Sequence, residues 1–296
     1  MKNRIEWIDE ARGLAMLMVV YVHISYYCFG IRHDASFSTI CNYVMLPLFF
    51  FISGFLVNVS KILSEECWKL LWMRFRIWVI AAFCVMLLNA SFRGIDLTDA
   101  FVSNNKIGYW FTFSLFQFYI LISCLFFFLR KCSRTTRWVV ICLSAIVVYI
   151  VGGPLLYQKL NLNETFVLSA GFLNLRWYLF FVFGVYVKEH KRIIAYLANK
   201  YITTICICVF LLSVFYKDFL LEYMGEHFFW NSVKFSGLLI LIAWFNSAQW
   251  NKMEKTKSFF RQIGRYTLEI YWFHWFLMPY TMSVYMKAFN TTPMPL

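Results

Sequence analysis

Apolar stretches close to the length of about 20 residues that a helix needs to cross a hydrocarbon core recur along the whole chain of 296 residues. No long polar block interrupts them, so residues 1–296 read as a single membrane domain with no separate soluble part. The balance of 61% hydrophobic to 15% charged residues excludes an ordinary water-soluble domain. The expected class is an all-α, polytopic transmembrane helix bundle. Spans are placed at 12–30, 39–59, 72–90, 109–129, 138–157, 169–187, 201–217, 228–246 and 265–287, nine in all.

The net charge of +13 would suggest nucleic acid in a soluble protein, but here the basic residues fall in the short gaps between apolar runs. Twenty of the 28 Lys and Arg lie in alternate gaps that include the N-terminal segment, and six lie in the others. That asymmetry places the N-terminus inside and the C-terminus outside, with membrane lipid as a partner and no nucleic acid. Met1 to Arg12 followed by an apolar run has the outline of a signal peptide, yet no small-residue cleavage site follows, so the first helix is expected to stay attached. Nine cysteines are scattered through apolar segments as small packing residues, and no metal-ligand spacing is present. A bridge between Cys28 and Cys41, at the outer ends of the first two helices, is a minor alternative.

Ionisable side chains inside a bilayer cost roughly 2.5–3.5 kcal/mol each at a helix centre on insertion scales, so each needs a partner or a purpose. They are His23 in the first span, Arg176 in the sixth, Lys234 in the eighth, and Glu269 and His274 in the last. Arg12 and His23 are eleven residues apart, which returns a helix to within roughly 20° of its starting direction, so both project from one face about 16 Å apart. His274 lies roughly 14 Å beyond Arg265, where the last span begins. The two histidines therefore share a depth, and the first and last helices are expected to face each other across a polar cavity. The bland alternative for such a histidine is a hydrogen bond between helices, worth about 0.6 kcal/mol on average.

Ser53-Gly54 interrupts a run of aromatics on the second span, where a small pair lets helices approach closely, and Pro47 frees a backbone carbonyl there. Glu269 sits at i+4 from Arg265, the spacing of a structural ion pair. Arg176 and Lys234 lie toward the outside, where they either snorkel or line an entrance for a polar acceptor.

Three segments together carry a family pattern: Ile8-Asp9-Glu10-Ala11-Arg12-Gly13 running into His23; Phe50-Phe51-Ile52-Ser53-Gly54-Phe55; and Ile263-Gly264-Arg265-Tyr266-Thr267-Leu268-Glu269-Ile270-Tyr271-Trp272-Phe273-His274. In order and placement they resemble the acyltransferase family 3 membrane proteins. The resemblance implies O-acetylation, or sometimes succinylation, of cell-surface polysaccharides, lipopolysaccharide, other glycans or small molecules, with the acyl group taken from cytoplasmic acyl-CoA. It implies a multi-pass protein of the bacterial inner membrane, with acetyl-CoA as co-substrate and no permanently bound cofactor. By resemblance His23 is the essential histidine and Arg12 its partner, while Asp9 and Ser53 match motif positions. Members usually show about ten spans, one more than the nine counted here.

Transfer from a thioester to an alcohol needs a base for the hydroxyl proton, and a neutral imidazole suits that role. His23 is the candidate base, or alternatively a transient acyl carrier. Arg12, with the inside cations Arg74 and Arg76, would grip the phosphates of coenzyme A, and His274 or Tyr271 would donate to the developing oxyanion. The rival class is a transporter or flippase for a polar or lipid-linked sugar, since a midplane histidine also suits proton-coupled transport. The doubled, Gly/Pro-broken spans of such proteins are not seen.

Overall fold

The computed structural model describes residues 5–29, 36–102, 106–151, 172–224 and 226–278. The described residues are predominantly helical, with turns between the helices and no strand. In chain order the helices are α1 (Glu6–Tyr27), α2 (Ser36–Phe55), α3 (Val59–Ile62), α4 (Cys67–Arg74), α5 (Ala81–Arg93), α6 (Leu97–Val102), α7 (Trp110–Phe128), α8 (Arg134–Val151), α9 (Tyr178–Glu189), α10 (Arg192–Leu197), α11 (Lys200–Phe215), α12 (Lys217–Met224), α13 (Glu226–Phe245), α14 (Ala248–Asn251), α15 (Glu254–Arg265) and α16 (Thr267–Leu277).

Helices are the form in which an apolar run satisfies its own backbone groups without water. Among the described residues five helices are long and apolar enough to cross a membrane: Glu6–Cys28, Phe37–Phe55, Cys67–Arg93, Trp110–Phe128 and Phe228–Phe245. Of the other four expected spans, 201–217 corresponds to the shorter apolar helix Lys200–Phe215, and 138–157, 169–187 and 265–287 each run into residues outside those described. The Cys67–Arg93 span is one continuous helix whose middle, Phe75–Ile80, widens into a π-helix. It ends on Gly94, whose φ of 65° permits the reversal in which Ile95 N–H reaches Ala90 O and Gly94 N–H reaches Ser91 O, satisfying carbonyls that the helix end would orphan.

The chain forms two compact units, one of Met1–Phe49 with Glu189–Leu296 and one of Phe50–Lys188. In the second, α2 and α9 meet backbone to backbone. A Cβ on Gly54 would lie 1.9 Å from Phe181 O, and one on Gly184 would lie 2.0 Å from Phe51 O. Each helix thus offers a glycine to the other's carbonyl, the close approach that bilayer packing favours where no hydrophobic force acts between helices. Around this contact Phe50 packs on Phe111, Phe118 and Trp177. Lys188 Nζ donates to Val57 O just past the end of α2.

In the first unit α11 packs on α13, where Tyr43, Val44, Phe229 and Val233 are buried together with Phe210 against them. Cys28 and Cys41 are buried and free, so the bridge is not formed. The largest departure from expectation is α15, a two-faced helix in a segment read as an inner connection. Only Tyr266, at φ −106° and ψ 19°, separates it from α16.

Candidate functional site

In the first unit α15 and α16 pack against α1. Helix α15 runs antiparallel to its first turns: Gly264 faces the Asp9 carbonyl and Gly13 faces the Phe260 carbonyl, with hypothetical Cβ atoms at 1.8 and 2.0 Å. The chain turns at Tyr266, and α16 runs the same way as α1, with His274 opposite His23 and Met278 opposite Cys28.

His23 Nδ1 and His274 Nε2 are 2.9 Å apart. The rings are nearly parallel, with centroids 5.2 Å apart, and Trp275 lies tilted against both, 4.5 Å from His23 and 4.9 Å from His274. Tyr27 closes the edge of the cluster against both His23 and Trp275. The expectation of equal depth is met by direct contact, rather than across an intervening cavity. His274 is buried and His23 half-buried.

The hydrogen-bond network assigns the protons. His274 Nδ1 lies 2.8 Å from Tyr271 O and 3.1 Å from Ile270 O. Carbonyls only accept, so this nitrogen carries the hydrogen, and with His274 neutral its Nε2 is the acceptor. His23 Nδ1 must then donate to it, which leaves His23 Nε2 as the basic nitrogen of the pair. One imidazole is thus held in a fixed tautomer and orientation by a second, as an orienting group holds a catalytic base.

Toward the start of α1, Asp9 is buried and lies 3.9 Å from the Arg12 guanidinium, whose side chain is about a third exposed. On the unbroken α1 Arg12 sits roughly 16 Å and Asp9 roughly 21 Å from His23 by helical rise. The adjacent Glu10 is 1% exposed, accepting from Trp250 Nε1 at 2.7 Å and Arg261 Nη2 at 2.8 Å. Arg261 also reaches Glu6 at 3.0 Å and Glu254 at 3.8 Å. Hydrogen bonding to Glu10, with the surrounding carboxylates, raises the guanidinium's affinity for its proton further, against the smaller opposing effect of burial.

A profile of the acyltransferase domain matches residues 5–296. The chain belongs to the acyltransferase 3 family. No curated protein and no solved structure matches it. The protein is thus a membrane acyltransferase, and the sequence-derived site residues of this acyltransferase distribute as follows. His23, His274 and Tyr271 come together, as do Asp9 and Arg12. Lys234 is half-buried on α13. Glu269 is exposed, and among the described residues it forms no ion pair with Arg265; the break at Tyr266 lies between them, so the i+4 geometry of a continuous helix is lost.

Ser53, Arg74, Arg76 and Arg176 belong to the acyltransferase's second unit. There Ser53 is half-buried beside the α2–α9 contact, Arg76 is exposed, and Arg176 is exposed with its guanidinium 5.4 Å from the Trp177 ring. Arg74 lies over Trp78 at 4.7 Å and Tyr119 at 5.3 Å. That clamp was not expected from the sequence, nor were the parts of Glu10, Trp250, Arg261 and Trp275. Among the described residues no group of three His, Cys, Asp or Glu side chains is placed to hold a metal ion.

Proposed function

We propose that this membrane acyltransferase moves an acetyl group from acetyl-CoA to a hydroxyl of a cell-surface glycan or polysaccharide, with His23 as the base. The observation that carries the reading is the 2.9 Å contact between His23 and His274, whose tautomers leave His23 Nε2 basic. As the acceptor oxygen attacks the thioester carbonyl, its proton passes to His23 Nε2. Collapse of the tetrahedral intermediate breaks the C–S bond, and the thiolate takes the proton to leave as the free thiol of coenzyme A. The charge that His23 gains in between is shared through its Nδ1 hydrogen bond with His274.

Arg12, oriented by Asp9, is assigned to the phosphates of coenzyme A, where a guanidinium fork suits a dianion. Arg74 and Arg76 add basic charge on the same face of the membrane, given an inside N-terminus, which the distribution of Lys and Arg supports. Lys234 and Arg176 suit a polar acceptor arriving from the opposite face. A bacterial inner membrane is the setting that fits a cytoplasmic donor and a surface acceptor.

The test is release of free thiol from acetyl-CoA by purified protein in liposomes supplied with candidate glycans, for wild type, His23→Ala and Arg12→Ala. Thiol release that His23→Ala abolishes in folded protein is the expected result. Folded wild-type protein that neither binds nor consumes acetyl-CoA would end the proposal.

A further inference from the structure

We infer that the buried Glu10–Arg261 pair, closed by Trp250, is a positioning device that sets the height of His274 against His23; it rests on the acyl-transfer reading for its consequence but not for its geometry. Glu10 and His23 belong to the single uninterrupted helix α1, thirteen residues and roughly 20 Å apart. Arg261 and His274 belong to α15 and α16, which share one non-helical residue, Tyr266. The Tyr266 N–H still bonds to Ile263 O and the Ile270 N–H to Tyr266 O, so the turn is held on both sides. A displacement of α15 along α1 is therefore passed to α16.

Among the contacts that hold α15 on α1, three bear on its position. Two are the glycine approaches, which set how close the helices come. A backbone carbonyl over a glycine gives closeness but little resistance to sliding, because dispersion contacts are individually weak and non-directional. The third is directional: the Glu10 carboxylate receives a hydrogen bond from the Arg261 guanidinium of α15 and, through its other oxygen, one from the Trp250 indole of the neighbouring α14. At 1% exposure the carboxylate has no water to replace a lost donor, so a slide of α15 is opposed by the full desolvation of a charge. The partners of Arg261 on the open side, Glu6 and Glu254, are 63% and 68% exposed, where ion pairs contribute little. The positional information thus resides in Glu10.

The imidazole pair is sensitive to such a slide. A donor–acceptor distance of 3.6 Å no longer counts as a hydrogen bond, so a shift of about 0.7 Å from the observed separation ends the contact. Without it His23 Nδ1 loses the acceptor in His274 and the group with which its charge is shared, and its proton affinity changes.

Glu10→Gln tests this, since glutamine keeps the shape and can still accept from Trp250 while removing the charge that holds Arg261. Two readings are taken on full-length protein in nanodiscs. The first is the titration of the histidines by nitrogen-15 NMR, with His23→Gln and His274→Gln spectra to assign them; it needs no activity. The second is the pH profile of acetyl-CoA consumption, with kcat and KM separated. The expected result is a shift of the His23–His274 titration on the order of one pH unit, the spread that protein surroundings impose on histidine, with a matching shift of the kcat profile and little change in KM. Glu6→Gln, which removes an exposed partner of the same arginine, leaves both unchanged.

A folded Glu10→Gln protein with an unaltered histidine titration overturns the inference, even if its melting temperature falls. A shifted titration in a protein whose wild type transfers no acetyl group upholds the positioning role and removes the acyl-transfer reading instead. Should Glu10→Gln fail to fold, Trp250→Phe removes one of the two donors and leaves the ion pair. It is expected to give a smaller shift in the same direction, and an unchanged titration there overturns the inference equally.

Discussion

Replacing Gly264 by alanine separates two arguments that give opposite signs. Gly264 lies within α15, and a helical glycine replaced by alanine ordinarily gains about 0.5–1 kcal/mol, because alanine loses less backbone entropy on folding. Here, however, the added Cβ falls 1.8 Å from Asp9 O and 2.7 Å from Asp9 C. A Cβ is not tolerated within 3.0 Å of another heavy atom, so α15 and α1 must part by at least 1.2 Å, the difference between 3.0 and the observed 1.8 Å. The obstacle is backbone on both sides and no side chain can turn away. Overpacking of this kind costs about 1–3 kcal/mol, and the separation also strains the buried Glu10–Arg261 hydrogen bond, so the net effect is destabilising.

Thermal unfolding in detergent, followed by labelling of cysteines such as the buried Cys28 and Cys41, reads this directly. Gly264→Ala is expected to melt several degrees below wild type, and Gly13→Ala, whose Cβ meets Phe260 O at 2.0 Å, to behave alike. Gly94→Ala is the control: nothing lies within 4 Å of its Cβ, so only the left-handed backbone costs, at about 1 kcal/mol. A Gly264→Ala protein as stable as wild type, or more so, would refute the close approach of α15 to α1 and the coupling built on it.

Two further outcomes follow from the site and from one loop. His274→Ala leaves His23 without its orienting acceptor, and kcat for acetyl transfer should fall on the order of a hundredfold, within the range for general acid–base groups; a folded variant within about twofold of wild type would remove His274 from the relay. Lys106, 4% exposed in the turn before α7, has its proton affinity lowered by burial from 10.5 to about 8. Between these values the unfolded chain binds the proton that the folded one releases, so stability should rise from pH 8 to 10.5, and in chemical denaturation the rise should vanish in Lys106→Met.

The sequence was most informative where chemistry conflicts with the solvent. His23 and His274 were legible because imidazoles are scarce and costly in apolar helices, and counting helical rise from basic flanks gave them one depth. Glu10 was not legible for the converse reason. It lies among flanking charges that a topology argument counts by sign, and Arg261 entered that count as one more inside cation. Only the three-dimensional approach of α15 turns two ordinary flanking residues into a buried pair. The helix itself is not legible in unbroken apolar runs, because α15 alternates its character with the helical period, and that period is the signal that marks it. The aromatic clamp on Arg74 was not legible because it comes from Trp78, four residues on, and from Tyr119 on a different helix.

The order in which the chain emerges during synthesis gives the arrangement of the two units a further consequence. Phe50–Lys188 is contiguous and can assemble as soon as it is made, but the other unit joins Met1–Phe49 to residues after Glu189. Helix α1 is therefore made well before α15 and α16, and its contacts with them form late. Until α15 and α16 arrive, Glu10 has no Arg261 and His23 no His274. Throughout that interval Glu10 and His23 lack the contacts that later settle them, so any factor that shelters nascent membrane segments would have a long task at α1.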